Sequence, residues 1–184
     1  CVAARPPEHG AKITSGAEID RSLGFGSSSA ITVATLGALA RLGGLSADLH
    51  ATALSIVRGL QGRGSGADLA ASLHGGLLRY QLGKPPDALP SPPDMAVKYA
   101  GYKTPTGEVL AQVASAWDGR PVEELYTRMG VAVGAAIRAA QVQDWAMMAE
   151  ALNDYQAFLA ELGVSDPRLD ALVTEGRAGA MAAK

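Results

Sequence analysis

The chain is short of cysteine, of aromatic side chains and of net charge. Cys1 is its one cysteine, which excludes an internal disulfide and a cysteine-based zinc site. Aromatic residues are 5% of the 184 residues, too few for a surface that stacks bases. Lysine and arginine number 16 against 18 aspartates and glutamates, a formal net charge of −2. With no basic tract, neither a nucleic acid nor an anionic membrane is an expected partner. No apolar run is long and uninterrupted enough to span a bilayer and no signal-peptide pattern is read at the start, so a cytoplasmic location is expected.

Glycine, by contrast, is plentiful at 22 residues, in a composition that is 48% apolar. That suits close-packed helices and sites lined by backbone. "GFGSSSA" (24–30) is a glycine turn with three serines, followed at once by the apolar run "ITVATLGALARLGG". The run predicts a helix over 28–42 that is buried on most faces, Ala30, Val33, Ala34 and Gly37 on one side and Leu36, Leu39 and Ala40 on the next. Before it, "AKITSGAEI" (11–19) alternates as a strand does. After it, 46–60 predicts a second helix with Ser46 as its N-cap. "QGRGSGAD" (61–68) is a second glycine loop, followed by the short helical "LAASLHGG" and by "GLLRYQ" (76–81), a strand pattern. "GKPPDALPSPPD" (83–94) holds five prolines and marks a linker. "MAVKYAGY" (95–102) alternates again and predicts another strand.

Beyond residue 106 the pattern is helical throughout. Pro121 stands at a first-turn position, and Val122, Leu125, Met129, Val133 and Ile137 form one stripe. Trp145, Met148, Leu152, Tyr155, Leu159 and Leu162 form another, and the two predict an antiparallel helical hairpin whose stripes are core packing. The expected class is α+β.

Two loops carry candidate chemistry. Backbone amides in a glycine turn make an anion-binding concavity, and a following helix adds partial positive charge. Gly24 and Gly26 allow close approach of a phosphate, and the hydroxyls of Ser27, Ser28 and Ser29 suit phosphate oxygens or Mg²⁺. The plain alternative is a Ser-capped helix after a turn. No G-x-x-x-x-G-K-[ST] pattern occurs, and Lys84 in "GKPP" has no helix behind it. Asp68 closes the second loop, either as an N-cap or as the carboxylate that orients a hydroxyl and takes its proton in phosphoryl transfer. His50 and His74 read as structural or surface residues, since neither has a second ligand at metal spacing. Arg58 and Arg63 flank the loop as solvated arginines or as phosphate contacts.

"LGFGSSSAITVA" resembles the second motif of the GHMP kinases, the superfamily of galactokinase and of homoserine, mevalonate and phosphomevalonate kinases. "GRGSGADLAASLHGGLLRY" is similar to that family's catalytic-aspartate loop, and "YAGYKTPTGEVLAQV" to the segment that opens its second domain. "GRAGAMAAK" resembles the lead-in to the third motif, which, like the first, is expected outside these residues, so the chain reads as an internal fragment, inactive alone. The resemblance implies part of a ribosomal-protein-S5-like ATP-binding domain over 1–86. Over 87–184 it implies part of a helix-rich, ferredoxin-like domain. It also implies ATP and Mg²⁺ as cofactors and a small-molecule acceptor, in a monomer or homodimer.

By that resemblance Gly24, Gly26, Ser27, Ser28 and Ser29 hold the ATP phosphates. Ser28 also ligates the metal, Asp68 is the catalytic carboxylate, and Ser65, Lys103 and Thr106 meet the acceptor. Mevalonate kinases carry a metal-binding Glu eleven residues before the aspartate, where this chain has Val57. The expected acceptor is therefore phosphomevalonate, with a mevalonate or sugar kinase, or a non-catalytic member of the fold, as alternatives.

Overall fold

A computed structural model of the chain describes residues 12–18, 20, 23–43 and 48–184. These divide into two compact units, 1–88 and 89–184, each considered by itself.

The first unit is built on three helices: α1 (Ser27–Arg41), α2 (Leu49–Gln61) and α3 (Ala67–His74). Leu36 of α1, Ala53 of α2 and Leu69 of α3 meet in one apolar cluster, joined by Val33, Leu49, Leu54 and Val57. Leu69 is completely buried, a burial that stabilises by about 1.5–3 kcal/mol. α1 has fewer buried faces than its sequence predicts. Only Ser29 and Leu36 are buried, because Ala30, Ile31, Ala34 and Ala38 line an open cavity of about 1090 Å³ along with residues 13–18. The cap of α2 is Asp48, whose carboxylate accepts from the amides of His50 and Ala51; Ser46, the expected cap, lies outside the described residues.

The expected strand over 11–19 does not form across residues 12–18. Alternation is compatible with a strand but does not make one. A strand needs a partner for its backbone groups, and residues 12–18 are exposed instead. Within 76–81 only Leu78–Arg79 is a strand, β1; it pairs antiparallel with β2 (Asp87–Ala88), Leu78 opposite Ala88 and Arg79 opposite Asp87. Thus the proline-rich stretch read as a linker contributes a short strand.

The second unit holds α4 (Thr106–Ala116), α5 (Glu123–Gln141), α6 (Trp145–Leu162) and α7 (Pro167–Gly179). α5 packs along α6, joined by a three-residue turn in which Gln143 takes φ 59°. Leu125, Met129 and Leu162 form its core, with Trp117, Tyr155, Phe158 and Leu159 packed against them. Val133, on the expected stripe, is exposed, while Ala132, Ala139 and Ala140 are buried. Pro121 falls just before the Val122 cap rather than in the first turn. No strand forms over 95–102. This segment is tied down by side chains instead: Lys98 Nζ meets Glu175 Oε1 at 2.6 Å, and the Tyr102 hydroxyl donates to Asp166. Gly101 sits so close to Arg168 that a Cβ there would lie 2.6 Å from its guanidinium.

Candidate phosphate-binding and carboxylate site

The first glycine loop requires its glycines. Gly24 and Gly26 take φ 81° and 70°, left-handed conformations that other L-residues adopt only with strain. Gly26 is the N-cap of α1 and offers no side-chain acceptor. The amides of Ser27, Ser28 and Ser29 have no helical carbonyl a turn earlier to bond and receive no cap from Gly26, and the partial positive charge of the helix end gathers there. The Ser-capped alternative is thereby corrected: no serine caps α1. Ser27 is half-buried at the mouth of the cavity and Ser28 is exposed. Ser29 is buried, and its hydroxyl donates to Asp68 Oδ2.

Asp68 is likewise not an N-cap. That place belongs to Gly66, with φ 81° and no side-chain cap bond. Asp68 sits one residue into α3, its Oδ1 accepting from the Leu69 amide at 3.0 Å. A carboxylate in a first turn is favoured by the helix dipole. One oxygen faces Ser29 on α1 and the other its own helix, so two helix N-termini meet through one side-chain bond. Ser65 precedes this turn; its Oγ accepts from the Ala67 amide at 3.3 Å.

Side chains on α2 and after β1 support the second loop from behind. Arg58 donates from Nε and Nη2 to the Gly64 carbonyl at 3.1 and 3.0 Å. Tyr80 Oη donates to the Ser65 carbonyl at 2.6 Å. His50 Nε2 lies 3.0 Å from the Gly66 carbonyl; a carbonyl only accepts, so the proton is on Nε2. The sequence reads His50 as structural or surface and Arg58 as solvated or a phosphate contact, and it gives Tyr80 no role. Their partners are main-chain oxygens, which leave no trace in residue identity.

Val57 packs in the apolar cluster with Leu36, Ala53 and Leu69, so no acid stands at that point of α2. Among the described residues there is no group of three or more histidines, cysteines and acids suited to a metal ion. Lys103 and Thr106 belong to the second unit: Lys103 is exposed in the segment before α4, and Thr106 is the first residue of α4, behind a Pro105 cap with no side-chain bond.

Residues 2–76 match the protein family described as GHMP kinases N terminal domain. Three of the similar proteins are mevalonate kinases of Pyrococcus furiosus, Pyrococcus horikoshii and Thermococcus onnurineus. They are 32%, 32% and 30% identical over 95%, 95% and 96% of this chain and 56% of each relative. The chain thus spans about half the length of the curated relatives it matches. Domain match and relatives together support the GHMP kinase superfamily for the chain.

Proposed function

We propose that the chain is the phosphate-binding and carboxylate-bearing part of an ATP-dependent kinase whose acceptor is mevalonate. The observation that carries this is the Ser29–Asp68 bond, which sets an uncapped, glycine-led helix N-terminus beside a single carboxylate. The first-turn amides of α1 and the hydroxyls of Ser27 and Ser28 bind the triphosphate, while the cavity beside Ser27, with Phe25, Ile31 and Ala34 in its lining, takes the nucleoside. Asp68 orients the acceptor hydroxyl and takes its proton as the new oxygen–phosphorus bond forms. The bond from the γ-phosphorus to its bridging oxygen breaks, and ADP leaves with that electron pair. Ser29 keeps the carboxylate pointed at this space. Hard oxygen donors suit Mg²⁺, and Ser28 and Asp68 supply them. Nucleotide phosphates and water would complete the shell, and the ion would neutralise phosphate charge.

Lys103 and Thr106 are proposed to meet the acceptor, as is Ser65. An S5-like fold for the first unit and a ferredoxin-like fold for the second belong to the same proposal. The relatives' names favour mevalonate over the phosphomevalonate expected from the missing Glu. Phosphomevalonate remains the second reading, on the strength of Val57 lying in the core where an acid was expected.

The test is ADP release by the full-length protein with mevalonate, phosphomevalonate and galactose. Turnover with mevalonate is expected, together with a fall of about 10²–10⁴-fold in kcat for Asp68→Asn. Turnover with phosphomevalonate alone selects the second reading, and an unaltered Asp68→Asn rate removes Asp68 from the chemistry.

A further inference from the structure

We infer that His50, Arg58 and Tyr80 are positioning residues that set the direction of Asp68 by gripping three successive carbonyls of its loop. The inference rests on the kinase reading of Asp68. Gly64 and Gly66, at φ 158° and 81°, give this loop more backbone freedom than other residues would. Against that freedom stand donors from three places: the first turn of α2, its last turn, and the residue after β1. They take the carbonyls of Gly66, Gly64 and Ser65 respectively.

A trans peptide is planar, with its N–H opposite its C=O. Fixing three carbonyls backwards therefore turns the amides of Ser65, Gly66 and Ala67 the other way. It also fixes where α3 begins. The Gly66 carbonyl receives both His50 and the Ala70 amide, the latter at 2.9 Å, which uses its two lone pairs. Asp68 follows two residues later, so its carboxylate inherits that direction. The rings of His50 and Tyr80 meet edge to face at 5.6 Å, which holds the two donors in one arrangement.

These bonds contribute little to overall stability. Arg58 is exposed and His50 and Tyr80 are half-buried, so water would hydrate the same carbonyls if the donors were removed. What the donors select is one loop conformation among several, and that shows in turnover rather than in unfolding.

The test uses the full-length protein with ATP and mevalonate, and the variants Tyr80→Phe, His50→Phe and His50→Gln. Tyr80→Phe and His50→Phe are each expected to lower kcat about tenfold, with KM for ATP within about twofold and the unfolding midpoint nearly unchanged. His50→Gln keeps an N–H at the place of Nε2 and restores most of the rate. In an Asp68→Asn background Tyr80→Phe has no further effect, because the group it aims is gone. Amide exchange over 62–68, which needs no acceptor, rises in both Phe variants. Wild-type kcat in both Phe variants, a kcat loss without faster exchange, or an undiminished Tyr80→Phe effect on top of Asp68→Asn would each overturn the inference. Failure of the kinase reading is separate: Asp68→Asn itself would then run at the wild-type rate.

Discussion

Replacing Gly66 by alanine tests how tightly the second loop is built, and Gly24 supplies a matched control. Both glycines take φ 81°, so alanine meets the same left-handed penalty at each, about 1–2 kcal/mol. Their surroundings differ. Nothing lies within 4 Å of a Cβ on Gly24, whereas a Cβ on Gly66 would stand 3.0 Å from Tyr80 Oη, 3.1 Å from Leu54 Cδ1 and 3.2 Å from His50 Nε2. Each neighbour has to retreat by a few tenths of an ångström, and two of them are the atoms that bond the Ser65 and Gly66 carbonyls. Forcing a methyl group into this occupied space adds about 1 kcal/mol. Gly66→Ala should therefore destabilise by about 2–3 kcal/mol and Gly24→Ala by about 1–2 kcal/mol. Trp117 and Trp145 both lie in the second unit, so the fluorescence of these two does not report on the loop. Hydrogen exchange of peptides covering 49–74 in the full-length protein reads it directly. A loss of 2–3 kcal/mol speeds exchange there by about 30- to 150-fold when opening is at equilibrium. Equal losses at the two glycines would refute the claim that the space around Gly66 is filled.

Two further outcomes follow from the helix ends. Asp48→Ala removes the carboxylate that accepts from the His50 and Ala51 amides at 2.9 and 3.2 Å; it should cost about 1 kcal/mol, read as faster exchange at the start of α2. In the second unit the Tyr102 hydroxyl, and after it the Leu169 amide, hold Asp166 below its ordinary 3.8, while the bond to Asp166 raises Tyr102 above its ordinary 10.0. The lowered carboxyl contributes full stability above pH 3.8, lost as pH falls through its folded value; the raised phenol contributes fully below pH 10.0, lost as pH rises through its folded value. Tyr102→Phe should move Asp166 up toward 3.8 in a carboxylate NMR titration, and an unmoved Asp166 would show that the contact does not persist in solution.

The elements that were legible in the sequence carry their causes locally. Gly24, Gly26 and Gly66 announce left-handed turns because little else fits there, and the apolar stripes of α5 and α6 record one face each. The extended segments were misjudged for a different reason. Ile13, Met95 and Val97 alternate as strand residues do, yet they are 64%, 76% and 70% exposed, since pairing depends on a partner that alternation does not specify. Caps were shifted by one or two positions because Ser, Asp and Gly all serve there: Gly26 for a serine, Gly66 for Asp68. Ser29 and Asp68, 39 residues apart, were both chosen from the sequence as candidates, but their direct bond was not foreseen. It depends on α1 and α3 packing through Leu36 and Leu69.

The hold on the second loop passes through main-chain oxygens, so it does not depend on which side chain occupies position 65. Ser65 adds only the 3.3 Å contact to the Ala67 amide. A bend secured in this way can exchange its outward-facing residue while keeping its shape. On the kinase reading proposed above, adjustment to a new acceptor is then open at the rim, while the frame around Asp68 stays as it is.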